Sequence, residues 1–173
     1  SGEYNTPTIR HLFPDRAMDV VTLAYRTQGW MLAAGNPKGI RGLADLSYPK
    51  VRFVNRNEGS GTRLWLDAEL RRQGIPAETI HGYGTVVKTH SEAAALIESG
   101  QADVSLGLQA AAHQHGLDFI PLFEERYDLV LPREREKMLH PLLDYLQTLA
   151  FRQSLSVLTG YNPTHTGEQI LVH

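Results

Sequence analysis

Phe53-Val54-Asn55-Arg56-Asn57-Glu58-Gly59-Ser60-Gly61-Thr62-Arg63-Leu64-Trp65-Leu66-Asp67 is the stretch on which the reading of this chain turns. Val51, Phe53 and Val54 are β-formers. Gly59 and Gly61 permit a tight turn and close approach of backbone to a guest. Ser60 or Thr62 can cap the helix that follows. The stretch therefore predicts strand, glycine-rich turn and helix. A helix starting here aims free N–H groups and the positive end of its dipole into the turn. The hydroxyls of Ser60 and Thr62 stand beside those amides, and Arg63 brings a guanidinium. The parts suit a small oxyanion or a carboxylate. The plain alternative is an ordinary, well-capped strand-to-helix turn.

Spacing excludes two other chemistries. A phosphate-binding P-loop needs G-x-x-x-x-G-K-[ST], and no Lys follows a glycine here at that spacing. A nucleophile elbow needs G-x-S-x-G, but Glu58 and Thr62 flank Ser60 at the two glycine positions. The expectation is a binding domain and not an enzyme.

Composition sets the bounds. At 173 residues the chain suffices for one sizeable domain, or for one lobe with part of another. A formal charge of −2 gives no global field for nucleic acid or an anionic membrane, so attraction for an anion must be local. No stretch approaches the roughly 18 apolar residues of a membrane helix. The absence of cysteine rules out disulfides and thiolate metal sites. The histidines are scattered: His113 and His115, two apart, fall on different faces of a helix, so no metal site is expected.

Along the chain, Pro7 and Pro14 break a polar start, with a short helix over 8–13. Strands are expected over 19–25 and 29–34, joined at Arg26-Thr27-Gln28. After the strand 51–54, the anchor helix runs over about 62–73, with Leu66 and Leu70 inward and Trp65 a core residue. Gly74 and Pro76 end it. A strand at Val86-Val87, a helix from His90 to Ser99, a strand over 102–108 and a helix over 109–115 follow. Gly107 suggests backbone brought close to something. Separate strands are expected over 118–122 and 127–131. Glu124-Glu125 and the run 133–137 read as solvated faces. A helix starts at His140-Pro141, a second holds Leu155 and Leu158, and residues 161–173 form a return segment. Alternating strands and helices after residue 50 argue an α/β unit with helices on both sheet faces. Ligands of such sheets sit outside the carboxyl ends of the strands, where the 56–61 loop and Gly107 both lie.

N-R-N-E-G-S-G-T-R-L-W-L-D resembles the signature of the periplasmic-binding-protein-like (type 2) ligand-binding domains, in the branch attached to helix-turn-helix regulators and molybdopterin-synthesis proteins. Ala24-Tyr25-Arg26-Thr27-Gln28-Gly29 with Gly35-Asn36-Pro37-Lys38-Gly39-Ile40, Ala102-Asp103-Val104-Ser105-Leu106-Gly107, and Glu125-Arg126-Tyr127-Asp128-Leu129 resemble the same branch, in the same order. Asn57 and Trp65 depart from it, standing where Gln and Leu are usual. The resemblance implies an α/β fold with one complete lobe and part of the other. Residues 1–50 would supply part of the first lobe and a crossover, 51–131 the second lobe, and 132–173 the C-terminal helices and a return segment. It implies a ligand shell of Arg56, Gly59, Ser60, Gly61, Thr62, Arg63, Gly107 and Tyr127, extended by Tyr4, Asn5 and Asn57. A loop such as Gly2-Glu3-Tyr4-Asn5 closes over the cleft in that family; a solvated terminus is the alternative. Arg56 can meet the anion or Glu58, Arg63 can turn to solvent, and Tyr127 can be a core aromatic. The ligand implied is molybdate or tungstate, with no cofactor. The implied partner is an attached helix-turn-helix or enzyme domain outside this chain, with homo-oligomerisation open and no direct contact to nucleic acid or membrane. The implied location is the cytoplasm, or the periplasm if an export signal precedes residue 1. The same fold also serves solute receptors of transporters and, more distantly, an enzyme domain handling a pterin or phosphate.

Overall fold

The computed structural model describes residues 5–173. In chain order the elements are α1 (Thr6–Leu12), β1 (Met18–Leu32), β2 (Asn55–Arg56), α2 (Gly61–Gln73), β3 (Val86–Val87), α3 (His90–Glu98), β4 (Val104–Leu108) and α4 (Gln109–Gln114). They continue with β5 (Asp118–Pro132), α5 (Glu136–Leu146), α6 (Leu149–Ser156), β6 (Tyr161–Asn162) and β7 (Gln169–Val172). Among the described residues no helix is long and apolar enough to cross a membrane.

The chain forms two compact units, one of Thr27–Phe123 and one joining the chain up to Arg26 with Glu124–His173. The units divide inside β1 and inside β5, so both strands belong in part to each.

These long strands are the main departure from the sequence reading. A hairpin joined at Arg26-Thr27-Gln28 was expected, but β1 runs unbroken for 15 residues. Tight hairpin turns need residues at positive φ, and among the described residues only Asn5 and Asn36 adopt it without being glycine. Gly29 serves a different purpose: a Cβ there would fall 2.1 Å from the Ile120 carbonyl oxygen. It is glycine to admit the β5 backbone. In the same way β5 is one strand of 15 residues and not two. Its polar middle is not a loop. Glu125 pairs with Arg26, their side chains 11% and 15% exposed, so of the two glutamates expected on a solvated face only Glu124 is there. Arg126 donates through Nε to Asp128 at 2.9 Å. A charge on an inner stretch of strand is tolerated when paired in this way.

In the Thr27–Phe123 unit, alternation along β1 sends Trp30 and Leu32 to one sheet face and Met31 to the other. Leu66 and Leu70 of α2 join Trp30, Phe53, Val104 and Leu106 on the first face. Ala93, Ala94 and Ile97 of α3 and Ala111 and Ala112 of α4 join Met31 and Val54 on the second. Helices thus cover both faces, as the α/β reading required. Trp65 is only partly buried, packing on the first cluster and stacking on Phe123 at 4.4 Å. β4 pairs antiparallel with β1, and β2 pairs parallel with β3. The strand expected over 51–54 is reduced to one bridge, Phe53 to Val104, and the paired strand lies just after it, at Asn55–Arg56.

In the other unit, Met18 and Val20 of β1 pack with Ile9, Val130 and Val172. Val21 packs with Leu143 and Leu146 of α5. The tail returns to β1 as β6 and β7, with Tyr25 opposite Asn162 and Met18 opposite Val172. α5 begins at Glu136, and Pro141 lies inside it instead of opening it. The helix gives up one backbone hydrogen bond there.

One buried ion pair in the Thr27–Phe123 unit carries a pH signature. Asp103 accepts from the Arg52 amide at 2.8 Å, from Nε at 3.1 Å and from Nη2 at 2.8 Å. Burial pushes the Asp103 carboxyl up, but the bonds from Arg52, its charge and that of Lys38 together hold it below the usual carboxylate range. The stabilisation is therefore complete above the unfolded-state value, about 3.9, and is lost as the pH falls through the folded one. Asp103→Asn is expected to be less stable than the parent near neutral pH, with the gap closing below about pH 4, read from urea midpoints across the acid range. Gly29→Ala is expected to lower stability by about 2–3 kcal/mol at any pH, since the Ile120 carbonyl cannot yield to a methyl.

Candidate functional site

α2 and α3 both begin just beyond the carboxyl ends of adjacent parallel strands, α2 after β2 and α3 after β3. Their first turns are finished in opposite ways. α3 has a complete capping box: Thr89 Oγ1 accepts from the Glu92 amide at 3.1 Å, and Glu92 Oε2 accepts from the Lys88 and Thr89 amides at 2.8 and 3.2 Å. A carboxylate already occupies the positive end of that helix.

α2 has no acidic residue in its first turn. Ser60 is its N-cap, with Oγ accepting from the Arg63 amide at 3.2 Å. The Ser60 amide is taken by the Asn57 carbonyl at 3.2 Å, and the Leu64 amide by the Ser60 carbonyl at 2.9 Å. Among the described residues the amides of Gly61 and Thr62 meet no acceptor, and the Ser60 hydroxyl donates to none. Gly59 has φ 79°, which favours glycine, and a Cβ on Gly59 or Gly61 would meet nothing within 4 Å. The turn is open where those amides emerge.

The side chains expected beside the turn have distinct fates. Thr62 is 5% exposed, and its hydroxyl donates to Gln28 Oε1 at 3.0 Å, so its hydrogen is spent inside the unit. Arg63 turns neither to solvent nor to the open turn. It is 8% exposed, donates through Nε to both Asp67 oxygens at 3.0 and 3.1 Å, and lies 4.1 Å over the Tyr83 ring. Burial pushes the Tyr83 hydroxyl above the usual tyrosine range, and its bond to Asp67 adds to the rise. Arg56 meets His90 and not Glu58: Nη1 is 2.8 Å from His90 Nε2, and Nη2 donates to the Lys88 carbonyl at 2.8 Å. A guanidinium can only donate, so His90 Nε2 is the acceptor in this contact. Asn57 Nδ2 donates to the Glu58 carbonyl at 3.2 Å. The place a Cβ would take on Gly107 is filled by Met31, at 2.6 Å, and by His90 Nδ1, at 3.1 Å.

Arg56, Asn57, Gly59, Ser60, Gly61, Thr62, Arg63 and Gly107 all belong to the Thr27–Phe123 unit. Asn5 and Tyr127 belong to the other. There Asn5 donates to Asp128 at 2.8 Å, and Tyr127 is 46% exposed under the Arg26 guanidinium, so it is not a core aromatic. Tyr4 lies outside the described residues. His90 is the neighbour that sequence reading passed over. Its signal was its place directly after the Thr89 cap, at the end of β3.

The sequence profile described as a PBP superfamily domain matches residues 1–147, and the chain belongs to that superfamily. It is 37% identical over 171 residues to the uncharacterized protein YvgK of Bacillus subtilis (strain 168), covering 99% of this chain and 56% of YvgK, so it spans little more than half of that relative. A Clostridium pasteurianum protein encoded in the 5′ region of a 2Fe-2S ferredoxin gene is 33% identical over 108 residues, covering 61% of this chain and 96% of that protein. Among solved structures, the fold matches PEB3 with bound L-phospholactate (TM-score 0.61, 19% identity, 83% of this chain and 68% of that one). It also matches a candidate phosphate ABC transporter substrate-binding protein from Clostridium perfringens with bound phosphate (0.63, 13%, 84% and 71%). The substrate-binding domain of a candidate molybdenum ABC transporter from Clostridium difficile matches with a TM-score of 0.54, at 13% identity over 83% of this chain and 66% of that one.

Two substitutions separate cap from anchor. Ser60→Ala should cost about 1 kcal/mol as a lost N-cap. Thr62→Val should cost about 1–3 kcal/mol, because it removes the donor to a buried amide oxygen. Thermal melts of both variants in anion-poor buffer check the values.

Proposed function

We propose that this PBP-superfamily domain binds a small oxyanion of the molybdate or tungstate type at the first turn of α2, and serves as the sensory part of a larger regulator or molybdenum-cofactor-related protein. The observation that carries the reading is the contrast between two neighbouring helix starts. α3 supplies its own carboxylate, whereas α2 leaves the Gly61 and Thr62 amides and the Ser60 hydroxyl unspent at an open turn. Each charge-assisted hydrogen bond to an anion there contributes about 1.5–3 kcal/mol. The donors are mostly backbone, so Arg63 is left out of the ligand shell and its charge stays with Asp67. Arg56, fixed on His90 and the Lys88 carbonyl, adds positive potential from the end of β2. A sensor works by binding one conformation better than another and so shifting the population. The second reading, a solute receptor of a transporter, draws support from the fold match to candidate transporter substrate-binding proteins. It differs in location, being periplasmic where the sensor is cytoplasmic.

Isothermal titration with molybdate, tungstate, sulfate and phosphate tests the binding itself. Gly61→Asp tests the place. A carboxylate at the first position of α2 should stabilise the helix by about 0.3–1 kcal/mol and, by occupying the turn, weaken oxyanion binding by ~10-fold or more. Absence of heat with all four anions, or unchanged affinity in Gly61→Asp, would sink the assignment.

A further inference from the structure

We propose that Ser91, His115 and Glu98 form a nucleophilic site that hydrolyses carboxylic esters with good leaving groups. Ser91 stands in the first turn of α3, and Glu98 is its last residue. The seven positions between them are close to two helical turns, so the two side chains share one face of α3. His115 follows directly on the last residue of α4. α3 and α4 meet through Ala93, Ala94, Ala111 and Ala112. Such small side chains at a contact let two helices come close. The approach sets the His115 ring between the other two residues. Its Nε2 is 3.0 Å from Ser91 Oγ, and its Nδ1 is 2.7 Å from Glu98 Oε2. None of the three belongs to the turn of α2, so either proposal can fail alone.

The order of contacts fixes the roles. A carboxylate only accepts, so Glu98 holds the ring hydrogen on Nδ1. Nε2 of the neutral ring then accepts from the Ser91 hydroxyl. This is the arrangement by which an imidazole takes the proton of an attacking serine. Local spacing does not show it, because the base lies 24 residues from Ser91, beyond another helix. Ser91 is exposed, so an ester in solution reaches Oγ. Oγ attacks the acyl carbon, its proton passes to Nε2, and the leaving group departs with the bonding pair. The proton follows to the leaving group or to solvent. Water then attacks the acyl carbon and gives a proton to Nε2, and Ser91 takes that proton back as the acid is released. Glu92 occupies the helix end beside Ser91, and its charge opposes an oxyanion there. An unassisted oxyanion forfeits about 10²–10³ in rate. The site is therefore restricted to esters whose leaving group departs easily, such as aryl esters.

p-Nitrophenyl acetate, with peptide mass spectrometry of acid-quenched chain, tests the site. The expected result is an acetyl group on Ser91 and nitrophenolate release that continues past one equivalent. Ser91→Ala should lose that acetyl group, and His115→Gln should slow acylation of Ser91 by about 100-fold. Glu98 is a positioning residue, and its side chain is 58% exposed, which limits its effect. Glu98→Gln should lower kcat by ~10-fold with KM unchanged, as the ring loses its tautomer and not its substrate. Ser91→Ala and Glu98→Gln alter exposed positions and should keep the melting temperature of the parent. Acetyl groups confined to lysines and other histidines overturn the proposal, as does release that stops at one equivalent. So does equal acylation of Ser91 in His115→Gln, or a parental kcat in Glu98→Gln.

Discussion

β1 has to remain extended from Met18 to Leu32, and the rest of the molecule depends on that constraint. Four strands, β4, β5, β6 and β7, hydrogen-bond to it, so a bend anywhere along its length would remove partners from one unit or the other. Two features keep it extended. Gly29 has no Cβ, which lets the Ile120 carbonyl come against its backbone. The polar residues along its middle are matched by side chains brought from elsewhere: Arg26 by Glu125, and Gln28 by Thr62. Buried polar groups without such partners would cost more than the strand could return.

Those same polar residues explain what was legible in the sequence and what was not. The turn at Gly59–Thr62 and its helix could be read directly, because cap, glycines and the Leu66–Leu70 stripe agree. The places of α3 and β4 could also be read, the helix from its start at His90 and the strand from the run over 102–108. Arg26-Thr27-Gln28 and Glu124-Glu125-Arg126 read as breaks because a local window sees polarity and cannot see that Arg26 meets Glu125, 99 residues away. Arg63 is a case of the same kind. Its position beside the turn suggested a ligand contact, and only Asp67 and Tyr83 together show where its charge is held. His90 was missed because a histidine at a helix start carries no sign of the arginine that meets it.

The two helix starts of the Thr27–Phe123 unit show how a small change of residue alters electrostatics at one sheet edge. At α3 the third helical residue is Glu92, which returns to the backbone and neutralises the helix end. At α2 the corresponding residue is Arg63, whose guanidinium is drawn back along the helix by Asp67. One end is closed to anions by its own carboxylate, and the other presents bare amides.

The bond from Thr62 to Gln28 has a further consequence. It is buried, it joins the opening turn of α2 to the central strand, and it breaks if the helix slides by an ångström or so. The amides of that turn are accordingly held in position, and on the oxyanion-binding reading proposed above little freedom would be lost when an ion binds. A rigid set of donors cannot shrink or spread to suit different ions. On that proposed reading it would sort them by radius, so selectivity at such a turn would follow bond length from the central atom more closely than charge.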